Sequence, residues 1–195
     1  LGFGGERREV TCMFVDTLPL AHLPKGMRPQ EIMQTINIYL SLASDCIHDA
    51  GGVIDKYMGT EVMALFNSQL NPLKNHAAAA VDAALRIREH FKVLYESMGQ
   101  SKHLYHIGVN TGVATLGNIG SHNRRDFTAL GDSINVSKRL EENAQDGQII
   151  ITDETRQHLL ANPVAGRSKL RFEPLEPLHA KGRKQEISIY EVFSE

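Results

Sequence analysis

Asn135 and Arg139 lie four residues apart in a segment whose apolar positions, Ile134, Val136, Leu140 and Ala144, recur at helical spacing. Both polar side chains therefore share a helix face and can reach a single ligand, and the guanidinium stays charged and donates along a fork. Asp16 closes the β-prone run Glu9–Val15, which puts a carboxylate at the C-terminal end of a predicted strand with loop residues directly after it. Lys181 sits in the basic stretch His179-Ala180-Lys181-Gly182-Arg183, which by itself reads as a basic turn before the last strand. The nine histidines show no H-E-x-x-H or comparable ligand spacing and receive no role. Cys12 and Cys46 fall in apolar stretches rather than in a C-x-x-C pair, as expected of buried free thiols in a reducing compartment.

The elements that must hold these groups follow from size and pattern. With 195 residues, 42% hydrophobic and 23% charged, the chain has the balance of one domain with its own core. Twenty-one Lys and Arg against 23 Asp and Glu give a net charge of -2, so no global positive field points to nucleic acid, and any anion site must be local. No run approaches the roughly 20 apolar residues of a membrane helix. Leu1 to Arg8 read as a linker from an upstream domain, and 9–195 as the folded domain, a piece of a longer protein.

After the first strand, Ile32, Ile36, Tyr39, Leu40, Ala43 and Ile47 predict a helix from Pro29 that stops at Gly51-Gly52. Val53–Tyr57 and Val62–Phe66 flank Met58-Gly59-Thr60-Glu61 as a β-hairpin. A second long helix is expected from Asn71-Pro72 to near Gly99, followed by strands at 103–110, 113–116 and 126–130. Asp132-Ser133 caps the helix that carries Asn135 and Arg139. A strand at 148–152, a helix at 153–161 and two late strands near Leu170 and at 187–193 complete the chain. This order predicts an α/β (α+β) sandwich, a ferredoxin-like split βαβ core with C-terminal additions. That fold hosts many functions, so the site decides.

The segment Asp126-Phe127-Thr128-Ala129-Leu130-Gly131-Asp132-Ser133-Ile134-Asn135-Val136-Ser137-Lys138-Arg139-Leu140-Glu141 resembles the signature of the class III adenylyl and guanylyl cyclases. Phe14-Val15-Asp16, Asp55-Lys56-Tyr57-Met58-Gly59, Gly108-Val109-Asn110-Thr111-Gly112 and Gly117-Asn118-Ile119-Gly120 precede it in family order, and the likeness runs from about Glu6 to Val192. The resemblance implies the class III nucleotide cyclase fold and attack of a ribose 3′-oxygen on its own α-phosphate, with pyrophosphate leaving. It implies two Mg²⁺ or Mn²⁺ ions per site, with Asp16 as the first metal carboxylate. Asn135 would orient the ribose, Arg139 would stabilise charge on the α-phosphate, and Lys181 would meet the triphosphate. Lys56 and Thr128 match the two base-selecting positions in the combination that accompanies adenine.

The sequence departs from the family at two places. The second metal carboxylate is replaced by Thr60, a neutral hydroxyl. Glu61 is next to it, but alternation along a strand is expected to send it to the other face unless a bulge or shifted turn re-aims it. Pro19 stands where the family has a Gly, which removes a backbone donor from a loop expected to meet phosphate. The resemblance thus implies an adenylate cyclase domain that makes cyclic AMP from ATP in a homodimer, with metal carboxylates from one chain and Lys56, Thr128, Asn135 and Arg139 from the other. It would be cytoplasmic, within a protein that could be membrane-tethered, and controlled by an upstream sensor. The alternatives are a degenerate cyclase domain that binds nucleotide or dimerises as a regulatory module, and a heterodimer whose partner supplies the metal carboxylates.

Overall fold

The computed structural model describes residues 5–179 and 185–195. Strand β1 (Glu6–Asp16) carries the continuous buried run Val10–Val15, so it is covered on both faces. Met13 and Val15 pack under helices α1 (Pro29–Asp49) and α2 (His76–Ser97), while Val10, Cys12 and Phe14 point to the opposite face. The other strands of the first half are β2 (Val53–Met58), β3 (Glu61–Phe66) and β4 (His106–Gly120). They run in the order β2-β3-β1-β4, every neighbouring pair antiparallel, which is the split βαβ arrangement expected from the sequence. Next come β5 (Arg125–Leu130), α3 (Asp132–Asn143), β6 (Gln148–Thr152) and α4 (Asp153–Ala161). The C-terminal strands are β7 (Leu170–Pro174), β8 (Leu178–His179), β9 (Glu186–Ile187) and β10 (Ile189–Ser194). In the main sheet β6 lies parallel to β4, then β10 and β7 follow, while β8 pairs with β9 in a separate ribbon.

Three local expectations need correcting. β1 starts at Glu6, inside the segment read as a linker, because Glu6 to Glu9 pair with Leu116 to Val113 and Arg8 donates to the Asn67 carbonyl. The strands expected at 103–110 and 113–116 are one strand, β4. Gly112 marks a close approach rather than a break: β1 pairs straight through it, and a Cβ there would come within 2.9 Å of the Ser133 Cβ. Helix α2 begins five residues after Asn71, since Leu73 N–H donates to the Asn67 side chain and Asn71 bridges Ser68, holding that stretch out of the helix.

Helix α3 lies against the sheet face opposite α1 and α2. At Gly108 the backbones nearly touch: an added Cβ would stand 2.5 Å from the Glu141 nitrogen and 2.6 Å from the Ser137 oxygen. Ser137 fastens the contact by donating to the carbonyls of Cys12 (2.7 Å) and Gly108 (3.2 Å). That clamp fixes the height and rotation of the helix that bears Asn135, Lys138, Arg139 and Glu141. Both cysteines are buried and free. Among the described residues no helix is long and apolar enough to cross a membrane.

Candidate active site

Carboxylates gather where β1 ends beside the β2–β3 hairpin. Asp16 stands directly opposite Glu61 in the antiparallel ladder, so both side chains leave the same face of the sheet. This corrects the expectation that Glu61 needs a re-aimed strand: Gly59 (φ 62°) and Thr60 form the two-residue turn, alternation begins only at Glu61, and the register shift falls at Ile54/Lys56. Carboxylate oxygens of Asp16, Glu61 and Glu141 lie within 4.8 Å of one another. Thr60 is buried and donates to Asp16 Oδ1 at 2.8 Å, while its carbonyl accepts from the Thr17 amide and hydroxyl at 3.0 and 2.7 Å. The residue in place of the second carboxylate therefore ties the hairpin to the end of β1. Pro19 precedes a 3-10 turn, Leu20–His22, and accepts from the His22 amide at 2.9 Å.

Lys138, one position before Arg139, reaches into this group. Its ammonium donates to both oxygens of Glu61 at 2.7 Å, stands 3.6 Å from Glu141, and lies 5.6 Å from the centre of the Phe14 ring. Burial raises the pKa of Asp16, the Thr60 hydrogen bond opposes that rise, and Glu61 adds to it. Burial also works against charge on Glu61, but hydrogen bonds from Glu141 and Lys138 outweigh it and hold its pKa low. Glu141, 2% exposed, is pushed up to about 9 by burial and by sharing a hydrogen bond with Glu61, so it carries its proton at neutral pH. A carboxyl with a raised folded-state pKa favours the fold below its ordinary range and loses that contribution as pH climbs toward 9. Glu141→Gln, which mimics the protonated form, is expected to leave the Tm near pH 4 almost unchanged and to flatten its fall between about pH 5 and 9. Thermal melts across that range check it, and parallel curves for the two proteins would contradict it.

A second group forms at the edge of the sheet. Thr128 on β5 donates to Asp55 Oδ2 at 2.8 Å, and Lys56 Nζ lies 3.5 Å from the same oxygen. The Asp55 side chain is 2% exposed while Lys56 is 46% exposed, so the lysine is presented and the aspartate braces it from below. The extra residue at the Ile54/Lys56 register shift turns Asp55 inward. Burial raises the Asp55 pKa, with Thr128 and Lys56 opposing the rise.

On α3, Asn135 is exposed and Arg139 is half-buried. Arg139 Nη2 donates to the His179 carbonyl at 3.0 Å, on the side of the β8–β9 ribbon, whereas its neighbour Lys138 serves the carboxylates. The chain thus assembles Asp16, Thr60 and Glu61 in one place and Lys56 with Thr128 in another, with Asn135 and Arg139 on α3. Lys181 lies outside the described residues. Sequence reasoning missed Asp55, Lys138 and Glu141. Glu141 had a signal, since Ile134, Ser137, Lys138 and Glu141 follow the i, i+3, i+4, i+7 spacing of a buried face, where a charged residue is out of place. Asp55 had none, because a bulge cannot be read from alternation.

Residues 5–193, which include this sheet, the α3 clamp and the carboxylate cluster, match the model of the adenylate and guanylate cyclase catalytic domain. The chain belongs to that family. It is 31% identical over 198 residues to adenylate cyclase 1 of Rhizobium meliloti (strain 1021), covering 97% of this chain and 29% of that protein. To the adenylate cyclase of Anabaena cylindrica it is 32% identical over 187 residues, covering 95% of this chain and 37% of that one. The chain therefore spans only about a third of the length of these relatives. Among solved structures, the adenylyl cyclase CyaB from P. aeruginosa superposes with a TM-score of 0.86 at 28% identity, covering 98% of this chain and 97% of that one. The guanylyl cyclase Cya2 superposes at 0.79 and 27% identity, covering 97% and 93%.

Proposed function

We propose that this domain converts ATP to 3′,5′-cyclic AMP and pyrophosphate at the interface of a two-fold homodimer, with Mg²⁺ or Mn²⁺. The observation that carries the adenine reading is the hydrogen bond from Thr128 to Asp55. A carboxylate only accepts, so the Thr128 hydroxyl spends its proton on Asp55 and turns lone pairs outward. Lone pairs suit the 6-amino group of adenine, and the Lys56 ammonium suits N1, which is an acceptor in adenine. Guanine presents O6 and N1–H at those places, an acceptor against lone pairs and a donor against an ammonium, so the polar groups would face like partners. The relatives named adenylate cyclase agree with this reading.

The hard oxygen donors gathered around Asp16 suit a divalent cation of the Mg²⁺ or Mn²⁺ kind. Such an ion, once bound, would lower the pKa of the attacking 3′-hydroxyl and offset phosphate charge. Asp16 would hold it, with Glu61 beside it engaged by Lys138. Asn135 would orient the ribose, Arg139 would leave the His179 carbonyl to meet the α-phosphate oxygens as charge builds there, and Lys181 would bind the triphosphate. With Asp16 and Arg139 working on ligands of different sites, two copies related by a two-fold axis would complete two equivalent sites. The chain's small share of its relatives, and its likeness to a bacterial light-regulated adenylyl cyclase at 25% identity and a TM-score of 0.75, support control by a further domain. We place the domain in the cytoplasm, where ATP is the substrate at hand and two buried free thiols persist.

The neutral Thr60 is the one observation that favours a degenerate, regulatory domain instead. Cyclase assays with ATP and GTP, in Mg²⁺ and in Mn²⁺, separate the two readings. Cyclic AMP is expected with kcat/KM for ATP at least about tenfold above that for GTP. Asp55→Asn, whose amide can donate to Thr128 and turn its hydroxyl proton toward the base, is expected to narrow that ratio. No cyclic nucleotide from the intact dimer under any condition would overturn the enzyme reading, and a GTP preference would overturn the adenine reading.

A further inference from the structure

The carboxylate group beside Asp16 holds a cation of its own. Glu61 is gripped through both oxygens by the Lys138 ammonium at 2.7 Å, and the same nitrogen lies 3.6 Å from Glu141 and 3.9 Å from Glu142. Lys138 is 29% exposed and Glu61 22%, so the pair is partly buried and screened less than an ion pair in open solvent. The ammonium also rests 5.6 Å from the Phe14 ring centre, on the residue two before Asp16. Thr60, by contrast, gives its proton to Asp16 and brings no charge.

Asp16 and Glu61 thus differ in what they can still offer. Asp16 accepts from two neutral donors, the Thr60 hydroxyl and the Leu18 amide, and neither brings a full charge. Glu61 is already neutralised on both oxygens. We propose that Lys138 is a built-in replacement for the second divalent ion: its ammonium supplies, from within the chain, the positive charge that Thr60 no longer helps to bind. The site then takes up one divalent ion, at Asp16, and a second ion at Glu61 must first evict Lys138. A primary ammonium is compact and carries three donors, so it can satisfy Glu61 and keep one proton for Glu141 or an incoming phosphate oxygen. It carries half the charge of a divalent ion and cannot activate a hydroxyl as a Lewis acid, so Lys138 acts as a positioning and charge-balancing residue while activation stays with the ion at Asp16.

This meaning rests on the cyclase reading, but the test does not. Mn²⁺ alone, without nucleotide, is titrated into the dimeric protein and free Mn²⁺ is followed by electron paramagnetic resonance. The wild type is expected to bind no more than one ion per protomer. Lys138→Gln is expected to take up a second ion, or to bind Mn²⁺ at least about tenfold more tightly, since the competing charge is gone. Lys138→Arg keeps the charge and is expected to follow the wild type. Two tightly bound ions per protomer in the wild type would overturn the proposal, as would superimposable isotherms for wild type and Lys138→Gln. If Lys138→Gln fails to fold, the wild-type ion count still decides. A protein that made no cyclic nucleotide yet gave the expected isotherms would sink the enzyme reading alone, and an active enzyme binding two ions would sink this one alone.

Discussion

Arg139→Ala is expected to lower cyclic AMP formation about 10²–10³-fold, the usual loss when one preorganised donor to developing charge is removed. In the free chain the guanidinium donates to the His179 carbonyl at 3.0 Å, an exposed contact that supports little of the fold. The variant should therefore melt within about 1 °C of the wild type. Its KM for ATP should change far less than kcat, because the contact is made in the transition state more than in the ground state. Equal effects on KM and kcat would make Arg139 an ordinary phosphate-binding residue.

Asp16→Asn is expected to cost about as much, about 10²–10³-fold in turnover, since several kcal/mol of metal-assisted charge stabilisation rest on this carboxylate. Its effect on stability should have the opposite sign. Burial and Glu61 raise the Asp16 pKa, so the ionised carboxylate works against the fold at neutral pH. Asn keeps the acceptor for the Thr60 hydroxyl while removing the charge. A higher Tm with lost activity would mark a group held in an unfavourable state for function. A fall in both would make Asp16 a structural residue.

These two residues were legible because each depends on short-range pattern. Asp16 closes an apolar run, and Asn135 and Arg139 share a helical period, so strand end and helix face follow from spacing alone. The same holds for the split βαβ order, which hydrophobic periodicity and two glycine stops spell out. What stayed hidden depends on contacts between distant segments. Glu61 reads as misdirected only when strand alternation is carried back through Thr60; pairing with Asp16 shows that alternation starts at Glu61. Lys138 reads as a solvated helix residue until Glu61, 77 positions away, arrives opposite it. Asp55 turns inward only because of a register shift, and the break expected at Gly112 disappears because β1 pairs across it. The adenine argument shows the gain: Lys56 and Thr128 matched a pattern, but the proton that Thr128 gives to Asp55 supplies a physical reason for the preference.

The central claim is that a complete site draws Asp16 from one chain and Arg139 from its partner. Mixing the two inactive variants tests it. Asp16→Asn and Arg139→Ala chains, co-expressed in equal amounts and pairing at random, should form heterodimers in about half of all dimers. Each heterodimer would hold one site with both residues intact and one with neither, so cyclic AMP formation should recover to about a quarter of the wild-type rate. Recovery to that level is the predicted result. A mixture no more active than the two variants measured separately, with heterodimers shown to be present, would contradict a site shared between chains.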